Sequence, residues 1–422
     1  MSATQIMLDV VCGTRDNLHG RKTHTRWIAF GYIVGVNVMN IAIYTSGDFP
    51  YGGAAENFVR QMALGLYKNN AQVEVIRLRG DSYSRKNDTP VRRSNYLFNK
   101  SFTNEALKFF ELLCVIFFVP ISLLYRKIYK KDQIVLLYGI EYAYLVCPFI
   151  FWSKIFRIKC YRIITDSYMA KSLVPVWWKW PKYFFYAMQY KHFDRHLNGV
   201  IVLSRYLYGL CIKNRVKKEK VMLIPHFIDL NLKNKKIPTN DVEDIICFCG
   251  TPSISNGIID LVQAFAIVSK YRRNTKLLII GKIPGDVFPE IKKLNDKSIH
   301  LTGYLKKDAI EPMMRSSSIL VNPRQSGVWA DAGFPTKLGE YFATKRPVVA
   351  TRVGDLAYYF NDKEELVFAE PNNPRSLADA ILFLLENKEK GNQIGLNGFN
   401  WASNNLDYIK NSQKLIEFLN CK

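Results

Sequence analysis

The chain has 422 residues, 48% of them hydrophobic and 23% charged. That is apolar material for two cores of ordinary size, and it excludes a disordered chain. Lys and Arg total 59 against 36 Asp and Glu, a formal charge of +23. The excess calls for an anionic partner: phosphate groups, a membrane surface or nucleic acid.

Residues 1–38 read as an upstream extension. A basic stretch over 19–26 and an apolar one over 27–38 imitate a secretory signal. The apolar run is short, lacks a small-residue cleavage site and flows into a core strand. Met39 stands directly before that strand and is an alternative start.

From there strand and helix alternate. A buried strand is expected over 40–44, then a loop holding Gly52 and Gly53, a helix over 55–67 and a strand over 72–78. The apolar stretch 106–125 approaches the ~20 residues that span a bilayer. Lys108 and Glu111 interrupt it and Pro120 breaks it, so a helix lying on a membrane or packed on the sheet is expected instead. Arg126, Lys127, Lys130 and Lys131 follow it and suit an anionic leaflet. Strands over 134–138, 160–164, 200–203 and 221–224 complete an N-terminal domain, 39–230, expected to hold the acceptor.

Residues 231–244 are a polar linker. The alternation then restarts, with strands at 245–249, 276–280, 300–301, 318–321 and 347–350. Helices fall at 257–270, 336–343 and 375–386, giving a second domain over 245–395. The last stretch, 396–422, carries a helix over 408–419 expected to return to the first domain. The fold class is α/β: two Rossmann-like α/β/α domains facing a central cleft, with ligands at the carboxyl ends of the strands.

The charge is concentrated. Residues 101–220 hold 20 Lys and Arg against 7 Asp and Glu, so 20 − 7 = +13 arises there, with 27 of the 57 aromatic residues. Cations interleaved with rings suit a bilayer interface. Single-stranded nucleic acid would use the same residue types, but no nucleic-acid module is recognisable and that partner is disfavoured. Eight scattered cysteines without a CxxC pair match a reducing compartment. His192 and His196 lie one helical turn apart but lack further ligands, and Asp241-Val-Glu-Asp244 sits in the linker, so no metal is expected.

The most informative segment runs from Asn322 to Thr351 and reads strand, loop, helix, strand. Gly333 permits an open backbone and Pro335 suits a helix entry. The helix start, with Lys337 beside it, offers N–H groups and positive charge to phosphate oxygens. Glu340 lies one turn deeper, where a carboxylate can accept from a ribose diol. The plain alternative is an amphipathic helix whose polar face carries Lys and Glu.

The stretch Gly333-Phe-Pro-Thr-Lys-Leu-Gly-Glu-Tyr-Phe-Ala343, followed by Arg346-Pro-Val-Val-Ala-Thr351, resembles the donor-binding signature of glycosyltransferase family 4. It looks most like members that build bacterial capsule, O-antigen and exopolysaccharide repeats. Weaker matches are Gly52-Gly53, Pro225-His-Phe-Ile-Asp229, Gly250 with Asn256-Gly257, Gly281 and Thr302-Gly303-Tyr304.

The resemblance implies a GT-B fold and a retaining, hexosyltransferase-like enzyme. It would use a nucleotide-diphosphate sugar as co-substrate and no other cofactor. Thr336 and Lys337 would hold the diphosphate, Glu340 the ribose, and Gly303 with Tyr304 the base, while Gly52 and Gly53 would let the first domain approach. Phe334 and Pro335 belong to the same donor motif, and Arg324 is a further candidate for the diphosphate or sugar, with a surface Arg as the alternative.

The chain departs from that family in two places. Where the family has the first glutamate of an E-x7-E pair, this chain has Ala332, with Asp331 beside it. The loop 251–257 also lacks the cations many relatives carry, a loss that Lys282 would offset. Asp166, in Thr165-Asp-Ser-Tyr168, is the acceptor-side candidate, orienting or deprotonating a hydroxyl or else capping a helix.

The expected acceptor is a saccharide on a polyprenyl diphosphate, met at the cytoplasmic, inner face of the cell membrane. Three other classes stay open: a nucleotide-sugar 2-epimerase, a nucleic-acid glucosyltransferase and a non-catalytic scaffold.

Overall fold

The alternation of strand and helix is realised as two parallel sheets in the computed structural model, which describes residues 38–46, 53–78, 90–95, 117–165, 180–230, 244–285, 287–293 and 296–421. The first sheet contains β1 (Asn40–Thr45), β2 (Gln72–Arg77), β3 (Arg92–Asn95), β4 (Ile134–Tyr138), β5 (Lys159–Ile164), β6 (Gly199–Val202) and β7 (Val221–Leu223). Their order is β3-β2-β1-β4-β5-β6-β7, and every pairing is parallel. The central strands are apolar on both sides because helices cover both faces.

On one face lies α1 (Ala54–Lys68), whose Phe58, Val59, Met62 and Leu66 meet Ile41, Ile43, Val73 and Val75. The other face takes α2 (Ala143–Ile155), α3 (Trp180–Met188) and α4 (Arg205–Lys213). It also takes a helix over 117–125 that runs into a π-helical turn, Arg126–Lys130. This helix continues through Pro120 rather than breaking there, because Val119 and Leu123 on its inner side are locked into the core. Residues 106–116 of the expected apolar helix lie outside the described residues.

Polar contacts fix the same inner side. Ser122 Oγ and Tyr44 OH are 2.7 Å apart, and Arg126 pairs with Glu74 at 2.9 Å and Asp132 at 3.0 Å.

The second sheet contains β8 (Asp244–Cys249), β9 (Thr275–Ile280), β10 (Ile299–Gly303), β11 (Ile319–Asn322), β12 (Val348–Thr351) and β13 (Val367–Ala369). Its order is β10-β9-β8-β11-β12-β13, again parallel throughout. Around it stand α5 (Ile258–Tyr271), α6 (Phe288–Lys293), α7 (Lys307–Ser316), α8 (Val328–Ala332), α9 (Thr336–Ala343), α10 (Leu356–Tyr359), α11 (Pro374–Glu386) and α12 (Lys388–Asn405).

The chain then crosses back. Ile228 N donates to Leu406 O at 2.8 Å and Tyr408 N to Ile228 O at 3.0 Å. The last helix, α13 (Tyr408–Asn420), packs on α1, with Leu415 and Leu419 inside the first domain's core. Strand order reverses between β1 and β4 and again between β8 and β11, and crevices for ligands open at such reversals. Among the described residues no helix is long and apolar enough to cross a membrane.

Candidate active site

The second reversal is built from close approaches. Gly257, after β8, sits at φ +72°, and a Cβ there would fall 1.6 Å from Pro323 O, after β11. The two loops also join through Gln325 N donating to Ser255 O at 3.2 Å. Only glycine lets these loops touch. One step along the sheet edge, Gly250 N donates to Ile280 O at 2.8 Å and Gly281 N to Gly303 O at 3.1 Å. Gly250, Gly281 and Gly303 therefore stand side by side at the ends of β8, β9 and β10. Lys282 follows exposed, and Tyr304 is 82% exposed beyond β10.

Lys337 lies across this edge. A Cβ on Gly250 would meet its Cε at 2.3 Å, so glycine leaves the channel the lysine occupies. The side chain is half-buried, but its Nζ is buried without a hydrogen-bond partner among the described residues. It lies 4.1 Å from the centre of the Phe248 ring. Burial is the main cause that pushes its pKa down to about 7; the nearby Arg324 guanidinium adds to this, and Cys249 and Glu340 oppose it.

The helix carrying Lys337 is held from below. Tyr341 OH accepts from Cys249 N at 2.8 Å and donates to Cys249 O at 3.1 Å, which ties α9 to the end of β8. Leu338 and Phe342 fill the core beneath. Glu340, one turn after Lys337, is half-buried and accepts from Asn57 Nδ2 of α1 at 3.3 Å. Lys337, Glu340, Thr336 and Gly250 thus gather at one end of the second sheet, with the first domain reaching over them.

Loop 323–335 closes the side. Arg324 is buried rather than on the surface. Its Nη1 donates to Gly333 O at 3.2 Å and its Nη2 to Trp329 O at 2.9 Å, with the guanidinium 4.0 Å from the Trp329 ring centre. Gly333 is extended (φ −128°, ψ 140°), so its angles do not require glycine. A Cβ there would lie 3.4 Å from Thr165 O across the cleft. Phe334 and Pro335 are buried, and Pro335 caps α9. Ala332 is fully buried in the first domain's apolar cluster, and its carbonyl accepts from Ser204 Oγ at 2.8 Å. A methyl pressed against that domain occupies the first position of the expected carboxylate pair.

From the first domain, Gly53 stands exposed before α1, while Gly52 and Asp166 lie outside the described residues. Ser46 Oγ donates to Gly139 O at 2.8 Å at the β1–β4 reversal. Sequence reasoning missed Asn57, Ser204 and Arg205, the residues through which the first domain grips the second. Arg205 N donates to Asp355 Oδ2 at 2.7 Å, and the Arg205 guanidinium stacks 3.7 Å from the Tyr358 ring centre. A polar residue one turn beyond Gly53 was the only signal for Asn57.

Two parallel-sheet α/β domains of this kind, with the site at the carboxyl edge, define the GT-B fold. Residues 243–387, within the second domain, match the family described as Glycosyl transferases group 1. An uncharacterized glycosyltransferase of Methanocaldococcus jannaschii, MJ1178, is 29% identical over 218 residues, 51% of this chain and 56% of that protein. The chain spans about half the length of the curated relatives it matches.

Among solved structures, sucrose-phosphate synthase from Thermosynechococcus elongatus aligns at a TM-score of 0.71 and 18% identity, covering 90% of this chain and 98% of that one. HepE of Anabaena, in complex with UDP and glucose, aligns at 0.65 and 15% identity, covering 91% and 100%. These likenesses establish the fold.

Proposed function

We propose that the protein is a retaining glycosyltransferase that moves a sugar from a nucleotide-diphosphate donor to a lipid-linked saccharide. The observation that carries this is the buried Lys337 ammonium, without a hydrogen-bond partner among the described residues and laid across Gly250 at the β8–β11 reversal, with Glu340 one turn away. A buried cation without a partner is costly unless a ligand supplies an anion. A diphosphate at the start of α9 would supply it and would also meet free helix N–H groups.

Transfer breaks the bond between the anomeric carbon and the donor's phosphate oxygen, and negative charge grows on the departing diphosphate. Lys337 and the start of α9 stabilise that charge as it develops. Glu340 would accept from the ribose hydroxyls, with Asn57 holding its carboxylate in place. The acceptor hydroxyl would attack the same face of the sugar from the first-domain side, where Asp166 is the proposed orienting or deprotonating group. The solved complex of HepE with UDP and glucose supports a uridine nucleotide as the first donor to try. The acceptor would be a saccharide on polyprenyl diphosphate, and the pathway one that assembles capsule, O-antigen or exopolysaccharide.

The test is turnover. Purified protein, a nucleotide-sugar panel and a polyprenyl-diphosphate-linked saccharide should yield a longer lipid-linked glycan, its new linkage keeping the donor's anomeric configuration. Glu340→Ala should lower the rate at sub-saturating donor. An isomerised nucleotide sugar formed without acceptor would instead identify a 2-epimerase, and no turnover with any donor would identify a scaffold.

A further inference from the structure

The helix over 117–125 and its π-helical extension present two apolar sides. Val119, Ser122, Leu123 and Arg126 face inward and are satisfied by the core, Tyr44, Glu74 and Asp132. The outer side carries Phe117, Ile121, Leu124, Tyr125, Ile128 and Tyr129, all exposed, Ile121 by 62% and Tyr129 by 72%. Spacings of three and four place them on one stripe. A helix apolar on both sides is normally buried on both.

The stripe does not end with this helix. The neighbouring α2 buries Val146, Phe149 and Ile150 in the same core and exposes Phe151 and Ile155 outward. Lys127 Nζ donates to Arg157 O at 3.5 Å, which brings the ends of the two helices together. An apolar patch of this extent marks an interaction surface.

Its charge is one-signed. Lys127, Lys131, Lys154 and Arg157 are exposed around the patch, and neither 117–131 nor 143–158 contains an acidic residue. Large apolar side chains and two tyrosines, rimmed only by cations, complement an anionic bilayer: chains below the headgroups, tyrosines at their level, ammonium groups against lipid phosphates. Asn40 Nδ2, at the start of β1, donates to Lys130 O at 3.1 Å, while Ser122 meets Tyr44 near that strand's end. The helix therefore runs antiparallel to β1, and its Phe117 end lies toward the carboxyl edge of the sheet, where the cleft opens.

We infer that the outer face of helix 117–130 and α2 is a docking surface for an anionic phospholipid bilayer, seating the first domain so that the cleft rim meets lipid-borne substrate. This deepens the proposed function and rests on it for its purpose. Binding to vesicles is nevertheless read without any turnover.

The experiment is co-sedimentation of the full chain with phosphatidylcholine vesicles and with vesicles containing phosphatidylglycerol. Three proteins are compared: wild type, Ile121→Asp/Ile128→Asp and Lys127→Glu/Lys131→Glu. Wild type should bind the anionic vesicles and not the neutral ones. Each double variant should weaken binding on the order of tenfold or more, and high salt should reproduce the charge-reversal result.

A nucleotide-induced rise in melting temperature, kept in both variants, would show that they fold and would separate this result from failure of the donor site. Equal binding by all three proteins, or no binding of wild type to anionic vesicles, overturns the inference. So does a wild-type oligomer that Ile121→Asp/Ile128→Asp disperses, because the face would then join two copies of the chain.

Discussion

Lys337→Met is expected to abolish the response to nucleotide while leaving the fold intact or more stable. The methionine fills the same channel across Gly250 and against Phe248, without a charge to desolvate. Turnover should fall on the order of 10²–10³-fold, as when one transition-state donor is removed elsewhere. Stability and function should thus move in opposite directions, a result that a purely structural lysine would not produce.

The pH dependence has a definite sign. In the fold Lys337 titrates at about 7, against 10.5 for an unperturbed lysine. Below about 7 both folded and unfolded chains hold the proton, and the full cost of burying it is present. Between about 7 and 10.5 the unfolded chain binds more protons, so this group makes wild type more stable as pH rises. Lys337→Met should lack that contribution. A diphosphate needs the charged form, so above about pH 7 its binding must take up a proton. Affinity should then weaken by up to about tenfold per pH unit, in wild type only. Melting curves and titrations at about pH 7.5 and about pH 9 check both statements.

The largest loss of stability is expected at Arg162→Met. Arg162 sits in the middle of β5 and is 1% exposed. Its Nη1 reaches both oxygens of Asp194, at 2.9 and 2.7 Å, and its Nε donates to Ile140 O at 3.3 Å. Burial is the largest single influence and works against its charge, but Asp194, with Tyr190, Tyr186 and Glu141 adding to it, outweighs burial and raises its pKa. Gln189 Nε2 donates to the same carboxylate at 2.7 Å. Removing only the arginine strands a buried carboxylate, a change that costs about 3–5 kcal/mol. Arg162→Met with Asp194→Leu should recover most of it, because no isolated charge then remains. Urea unfolding midpoints of the three variants decide this.

How much of this was legible varies with the range of the contact. The strand over 134–138 and the helix over 336–343 have the bounds expected from sequence, because a buried apolar run and a Pro–Thr entry are local signals. The short β3 escaped notice: Arg-Arg-Ser-Asn at a sheet edge carries no apolar pattern. The three-residue β13 is too short to show one. Gly250 and Gly257 were noticed only through a family resemblance, yet each has a steric reason that becomes visible once Lys337 and Pro323 lie against it.

The return of the last helix to the first domain was legible, but the side-chain contacts across the cleft were not. Asn57 and Glu340 are 283 positions apart, and Ser204 meets the carbonyl, not the side chain, of Ala332. Arg162 did carry an unused signal, since an arginine inside an apolar strand requires a buried partner. Sequence alone did not say which acidic residue that would be.

The most direct test is a calorimetric titration of UDP, GDP, ADP and CDP into wild-type protein and Glu340→Ala at neutral pH. One nucleotide should bind wild type with a clear heat, and the variant should bind it roughly ten- to a hundredfold more weakly, as expected for a lost hydrogen bond to a charged group. Absence of binding by all four to folded wild-type protein would contradict a donor site at Lys337 and Glu340.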